Sequence, residues 1–160
     1  MSERTSRLLG QGVVAGLIGY ATVAIVFALA NLFVDRSPFH TAAVLGATMF
    51  YGATDPSTIA VLPAYVLAFN GVHMLTFLVF GLIGAWLAEL ADRGEQLWYF
   101  SLFFWMFVAF HMVGAAQMLA VPLESVISAV AIWLAGLAAS ALMALFLLRV
   151  HPLLRKAQAW

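Results

Sequence analysis

The chain has 160 residues, of which 65% are hydrophobic and 9% charged, and seven basic residues balance seven acidic ones. A water-soluble domain carries roughly 25% charged residues, so much of this surface must face lipid. The even charge leaves no basic patch for nucleic acid. The absence of cysteine removes disulfides, thiolate metal centres, iron–sulfur clusters and cysteine nucleophiles.

The first apolar segment runs from about Leu9 to Val34 behind Arg4 and Arg7. It is longer than the roughly 7–15 residues of a signal-peptide core, and no small-x-small cleavage signal with a soluble domain follows it. It reads as a first transmembrane helix. Gly12, Gly16, Gly19 and Ala30 form a small-residue stripe, which lets helices approach closely in lipid. Tyr20 and Asn31 share a side and are expected to pair across helices. Asp35-Arg36-Ser37-Pro38 stops the segment.

The connection from Asp35 to Leu62 is long. Thr41 to Tyr51 is apolar but too short to span, since a crossing takes roughly 20 residues. Phe39, Ala42, Ala43, Gly46, Met49 and Phe50 are expected on one side of a helix over about 39–51. Thr41, Thr48 and Tyr51 are expected on the other. Such a helix suits the membrane interface, a re-entrant position, or a lid over the bundle mouth. Asp35, His40 and Asp55 share this connection without a nucleophile at a known spacing.

Pro63 opens a second span that runs to about Leu90, with proline tolerated in the first turn. Asn70, His73, Gly81, Gly84 and Ala88 share one face. A third span is expected over about Leu97–Val121. Phe100, Phe104, Phe107, His111, Ala115 and Met118 lie along one side of it at helical spacing. This aromatic wall either packs the core and lipid boundary or lines a flat apolar pocket. Pro122 divides it from a fourth span over about Leu123–Leu148, with Glu124 and Ser125 in the first turn. Ser128, Gly136, Ala139 and Ser140 form its small-residue stripe, and His151-Pro152 ends it.

The expected fold is an all-α membrane protein. It is a four-helix transmembrane bundle, one integral membrane domain over 1–160, with a short interfacial or re-entrant helix between spans one and two. Arg4 and Arg7 before the first span, and Arg149, Arg155 and Lys156 after the last, place both termini in the cytoplasm of a cell (inner) membrane. Trp86, Trp98 and Tyr99 fall near the cytoplasmic helix ends, where amphipathic rings prefer to sit.

His73 and His111 are the candidate site, because polar side chains inside lipid mark function by default. Spans two and three form a hairpin, and each histidine lies a similar distance from its turn. The two imidazoles are therefore expected at matched depth, within about one helical turn. Together they could serve as axial ligands of a b-type haem or hold a metal ion. Phe104, Phe107 and Met118 would line the pocket, Met74 and Met112 would add soft contacts, and Asn70 and Gln117 would orient the rings. The competing reading is structural: two histidines that hydrogen-bond each other, Asn70 or a neighbouring helix. His40 and His151 are expected in surface or capping roles.

No carboxylate sits mid-span and the only lysine, Lys156, is in the tail, which excludes a retinal Schiff base and a pump built on a buried acid. No phosphate-binding loop, hydrolase elbow, zinc-protease motif or dinucleotide fingerprint occurs. The composition therefore points to a non-catalytic integral membrane protein, an accessory or anchor subunit of a larger complex. Its partners would be the lipid bilayer and other membrane subunits or further copies of itself. The alternatives are an electron-transfer protein carrying haem b or a metal at His73 and His111, and a small transporter or channel.

Overall fold

The computed structural model describes residues 3–92, 98–119 and 127–151. In chain order the elements are α1 (Glu3–Leu32), α2 (His40–Tyr51), a 3-10 turn (Pro56–Thr58), α3 (Pro63–Asp92), α4 (Trp98–Leu119) and α5 (Ala129–Val150). Among the described residues there is no strand. Helices α1, α3 and α5 are long and apolar enough to cross a membrane, and α4 contributes a shorter apolar stretch over 102–111.

Two helix boundaries differ from the sequence expectation. α1 begins at Glu3, well before Leu9, because Arg4 and Arg7 are held against Glu89 of α3 and the first turns gain a packing partner. α5 begins at Ala129, where Ser128 caps it by accepting from the Ala131 N–H. Ser128 is thus a cap and not a member of the packing stripe. The expected opening turn at Glu124 and Ser125 lies outside the described residues.

α1 and α3 form the central seam, and they run antiparallel. Arg4 meets Glu89 at one end, and Tyr20 meets Asn70 further along. Between them the glycine stripe lets backbone meet backbone. A Cβ on Gly16 would lie 2.6 Å from the Phe77 carbonyl oxygen and 2.8 Å from the Leu78 Cα. Between helices in lipid, hydrophobicity gives no adhesion and close packing of this kind supplies it.

α5 closes the third side, with Ala135, Ala139, Met143 and Leu147 buried in the same core as Ala15, Val23, Phe77 and Ala88. It runs parallel to α3, since Gly84 neighbours Leu147 and Asp92 pairs with His151. α4 runs antiparallel to α3: Phe80 meets Phe103, Phe77 meets Phe107, and His73 meets His111.

α2 packs on α3 through a face that draws on both of the sides expected from the sequence. Thr41, Ala43, Val44, Leu45, Gly46 and Ala47 are buried, whereas Phe39, Met49 and Phe50 are exposed. The large rings turn outward because Gly46 rides directly on the Tyr65 backbone, a contact too close for a bulky face. Thr41 is buried because its hydroxyl donates to Asn31 Oδ1 at 3.0 Å. Asn31 Nδ2 in turn donates to the Pro38 carbonyl at 3.3 Å. Asn31 therefore pairs across elements as expected and fixes the α1–α2 turn, in which Asp35 takes a left-handed φ of 55°.

At the opposite end, α1, α3 and α5 are tied by polar pairs. Arg4 Nε lies 2.8 Å and Arg7 3.7 Å from the Glu89 carboxylate. His151 Nδ1 meets Asp92 Oδ2 with its ring 2% exposed. Of the two roles expected for His151, capping holds, while its ring is buried in a pair with Asp92 and not at the surface. Its position as C-cap of α5, donating its backbone N–H to the Leu147 carbonyl, leaves the ring under the end of α3.

Candidate functional site

His73 and His111 come together as their spacing predicts. Their ring centroids are 6.2 Å apart and the planes cross at 65°. The antiparallel α3–α4 register produces this meeting, and aromatic side chains fix it. On α3, Phe69, His73 and Phe77 follow one another at four-residue spacing along one face. Phe69 stacks on His73 at 5.2 Å and Phe77 meets it edge-on at 4.9 Å. On α4, Phe107 lies 4.8 Å from His111. Tyr20 of α1 reaches to 5.9 Å from His73.

Among the described residues, His73 Nε2 and His111 Nδ1 are buried without a hydrogen-bond partner. Asn70, expected to orient an imidazole, is engaged elsewhere: its Oδ1 accepts from the Tyr20 hydroxyl at 3.0 Å and its Nδ2 donates to the Val66 carbonyl at 2.9 Å. Leaving a buried polar atom unpaired costs about 1–3 kcal/mol, and such an atom in a native fold calls for an explanation, of which a bound partner is one.

Space for that partner lies beside the rings. A cavity of about 300 Å³ is lined by Phe27 of α1, Met49 of α2, Phe69 and His73 of α3, Phe110 and His111 of α4, and Ile132 of α5, among others. All five helices contribute to it. Part of the room comes from Gly114, where an added Cβ would meet nothing within 4 Å. Val72 and Phe110 line the cavity and are 47% and 60% exposed, so its rim reaches the outer surface of the bundle. Among the described residues, no Asp, Glu, Lys or Arg side chain lines it.

The expected pocket residues divide. Phe107 is 2% exposed and sits among Phe77, Phe80 and His111 below the cavity. Phe104 is half-buried in the first half of α4. Met74 is 39% exposed, on the outside of α3. Gln117 and Met118 fall within α4, and Met112 beside His111, but their side chains lie outside the described residues. Sequence reading missed Phe69, Phe77, Phe110 and Gly114. The four-residue spacing of Phe69, His73 and Phe77 was the available signal for the first two. Nothing local marks Gly114, whose importance comes from what is not opposite it.

The same geometry bears on the cofactors considered. The Phe77 centroid is 4.9 Å from both imidazoles, which are themselves 6.2 Å apart. It therefore lies on the plane midway between them, about 4 Å from the midpoint, where the atoms of a bis-histidine haem would have to be. Phe77 is fully buried in the core and cannot swing away without opening the α1–α3 seam. A haem axially held by these two residues does not fit this arrangement. A bare ion suits the separation, since metal–nitrogen bonds of about 2.0 Å to each ring span it. It would find only two ligands, for among the described residues no three His, Asp or Glu side chains converge.

Outside the spans, two groups have displaced protonation equilibria. Burial, and then the nearby Arg36 charge, hold His40 below the ordinary imidazole value. Asp55 is held below the usual carboxylate range by the Ser57 side-chain hydrogen bond and then by its backbone N–H. Those bonds cap the 3-10 turn and do not build a reactive site.

No family model matches this chain, and neither does any curated protein or solved structure.

Proposed function

We propose that this is a non-catalytic integral membrane protein of four spans that binds a small, neutral, lipid-soluble molecule in the cavity beside His73 and His111. The observation that carries the reading is the pair of unpaired ring nitrogens next to an apolar cavity of about 300 Å³. That volume is at the lower end of small-molecule sites, which are largely apolar with a few placed polar groups. The lack of lining charge selects a neutral ligand, because an unpaired ion would be strongly disfavoured there.

Four crossings are supported by helix direction. α3 and α5 run the same way, so the chain must return between them. α4 has 22 residues, enough to reach about 33 Å against a hydrocarbon core of about 30 Å. The basic residues at the two ends of the sequence favour cytoplasmic termini. Reporter fusions after residues 36, 93 and 160 test this topology. An outside, inside, inside pattern is expected, and an outside signal at residue 160 would remove the fourth span.

Binding is tested by native mass spectrometry of gently solubilised protein. A neutral small molecule at one per chain is expected in the wild type and absent from Gly114→Leu, which fills the cavity. An empty wild-type protein would overturn the reading, as would a haem absorption band abolished by His73→Ala. Membrane subunits recovered in the same preparation would place the pocket within a larger complex.

A further inference from the structure

We infer that the molecule bound beside His73 and His111 is a lipid-soluble quinone; this rests on the binding function proposed above and names its ligand. Three features of the cavity converge on that chemistry. Its walls include the flat rings of Phe27, Phe69 and Phe110, which favour a planar headgroup through stacking and edge contacts. Its polar atoms include two imidazole nitrogens that have no partner among the described residues, His73 Nε2 and His111 Nδ1. Its rim, at Val72 and Phe110, opens on the outer surface of the bundle, so a ligand enters from lipid and can leave an apolar tail there.

Other lipid-borne molecules match less of this. A fatty acid or phospholipid carries charge, and among the described residues no lysine or arginine lines the cavity to receive it. A pure hydrocarbon would fill the space but leave both nitrogens unpaired. A quinone carbonyl accepts one hydrogen bond from a neutral imidazole N–H. A quinol hydroxyl donates to the same nitrogen in the other tautomer. Two neutral imidazoles can therefore hold either form without gaining charge. The inference concerns binding alone and assigns no electron transfer to the protein.

The test uses the full chain in phosphatidylcholine nanodiscs with a benzoquinone bearing a ten-carbon tail. Decylbenzene, which has a similar tail and ring but no carbonyl, serves as the comparison. Saturable binding of the quinone at one per chain is expected. His73→Leu and His111→Leu should each weaken it tenfold or more, His73→Gln should recover part of the loss, and Gly114→Leu should abolish it. Melting temperatures of the variants establish that they are folded. A variant that is unfolded is replaced by Gly114→Val or His111→Gln. If decylbenzene binds as tightly as the quinone and Gly114→Leu blocks both, the cavity binds ligands but the quinone assignment fails. If neither binds, the binding function fails with it. Quinone uptake that ignores Gly114→Leu is partition into lipid and also overturns the proposal.

Discussion

Replacing Gly16 by alanine adds one methyl group at the point where α1 and α3 touch. That methyl would lie 2.6 Å from the Phe77 carbonyl oxygen and 2.8 Å from the Leu78 Cα. Ordinary contact begins near 3.4 Å, so the helices must part locally by about 0.6–0.8 Å. Both opposing atoms belong to backbone and cannot rotate away. Overpacking of this kind costs about 1–3 kcal/mol, and here it is spread along a seam that also holds Gly12 and Gly81. Gly114→Ala adds the same methyl to α4 with nothing within 4 Å. There the only change is helix propensity, a gain of about 0.5–1 kcal/mol. The two substitutions should therefore shift stability in opposite directions. Reversible unfolding in mixed detergent micelles, with helicity as readout, measures both. If Gly16→Ala unfolds with the wild type, or if both variants move the same way, the close α1–α3 seam is wrong.

Three further outcomes follow from particular contacts. His151→Ala should destabilise the protein by about 2–3 kcal/mol, because it leaves the Asp92 carboxylate without its partner in a mostly buried setting; denaturant titration in micelles measures this, with Asp92→Asn expected to cost less than Asp92→Ala. Tyr20→Phe removes the 3.0 Å bond to Asn70 and should cost about 0.6–2 kcal/mol, read in the same assay, with no loss if Asn70 re-pairs. His40 binds its proton less readily folded than unfolded, through burial and then Arg36. The unfolded chain therefore holds more protons near the ordinary imidazole value of about 6.5, and stability should fall as pH drops through that value. Melting temperature followed from pH 7.5 to pH 5.5 should show the decline, and His40→Gln should flatten it.

Composition, apolar run length and the positions of proline and charge determined that the chain is helical, that its long helices are apolar enough to cross a membrane, and roughly where they lie. These properties are local: the cost of placing a charge or a free backbone group in hydrocarbon depends little on what else is nearby. Matched depth for His73 and His111 was legible for the same reason, since a short hairpin and a fixed helical rise set it. The glycine stripe at Gly12 and Gly16 announced a close crossing but not its partner. Tertiary structure decided the rest. It buried His151 against Asp92, turned Phe39 and Phe50 outward from α2, and tied Asn70 to Tyr20 instead of to an imidazole. It also set Phe77 against both histidine rings and left a cavity beside Gly114. In a lipid-facing helix almost every position is apolar, so hydrophobic periodicity is too weak to say which side faces protein. That choice is made by steric fit and by pairing of the few polar atoms, and both depend on residues distant in sequence.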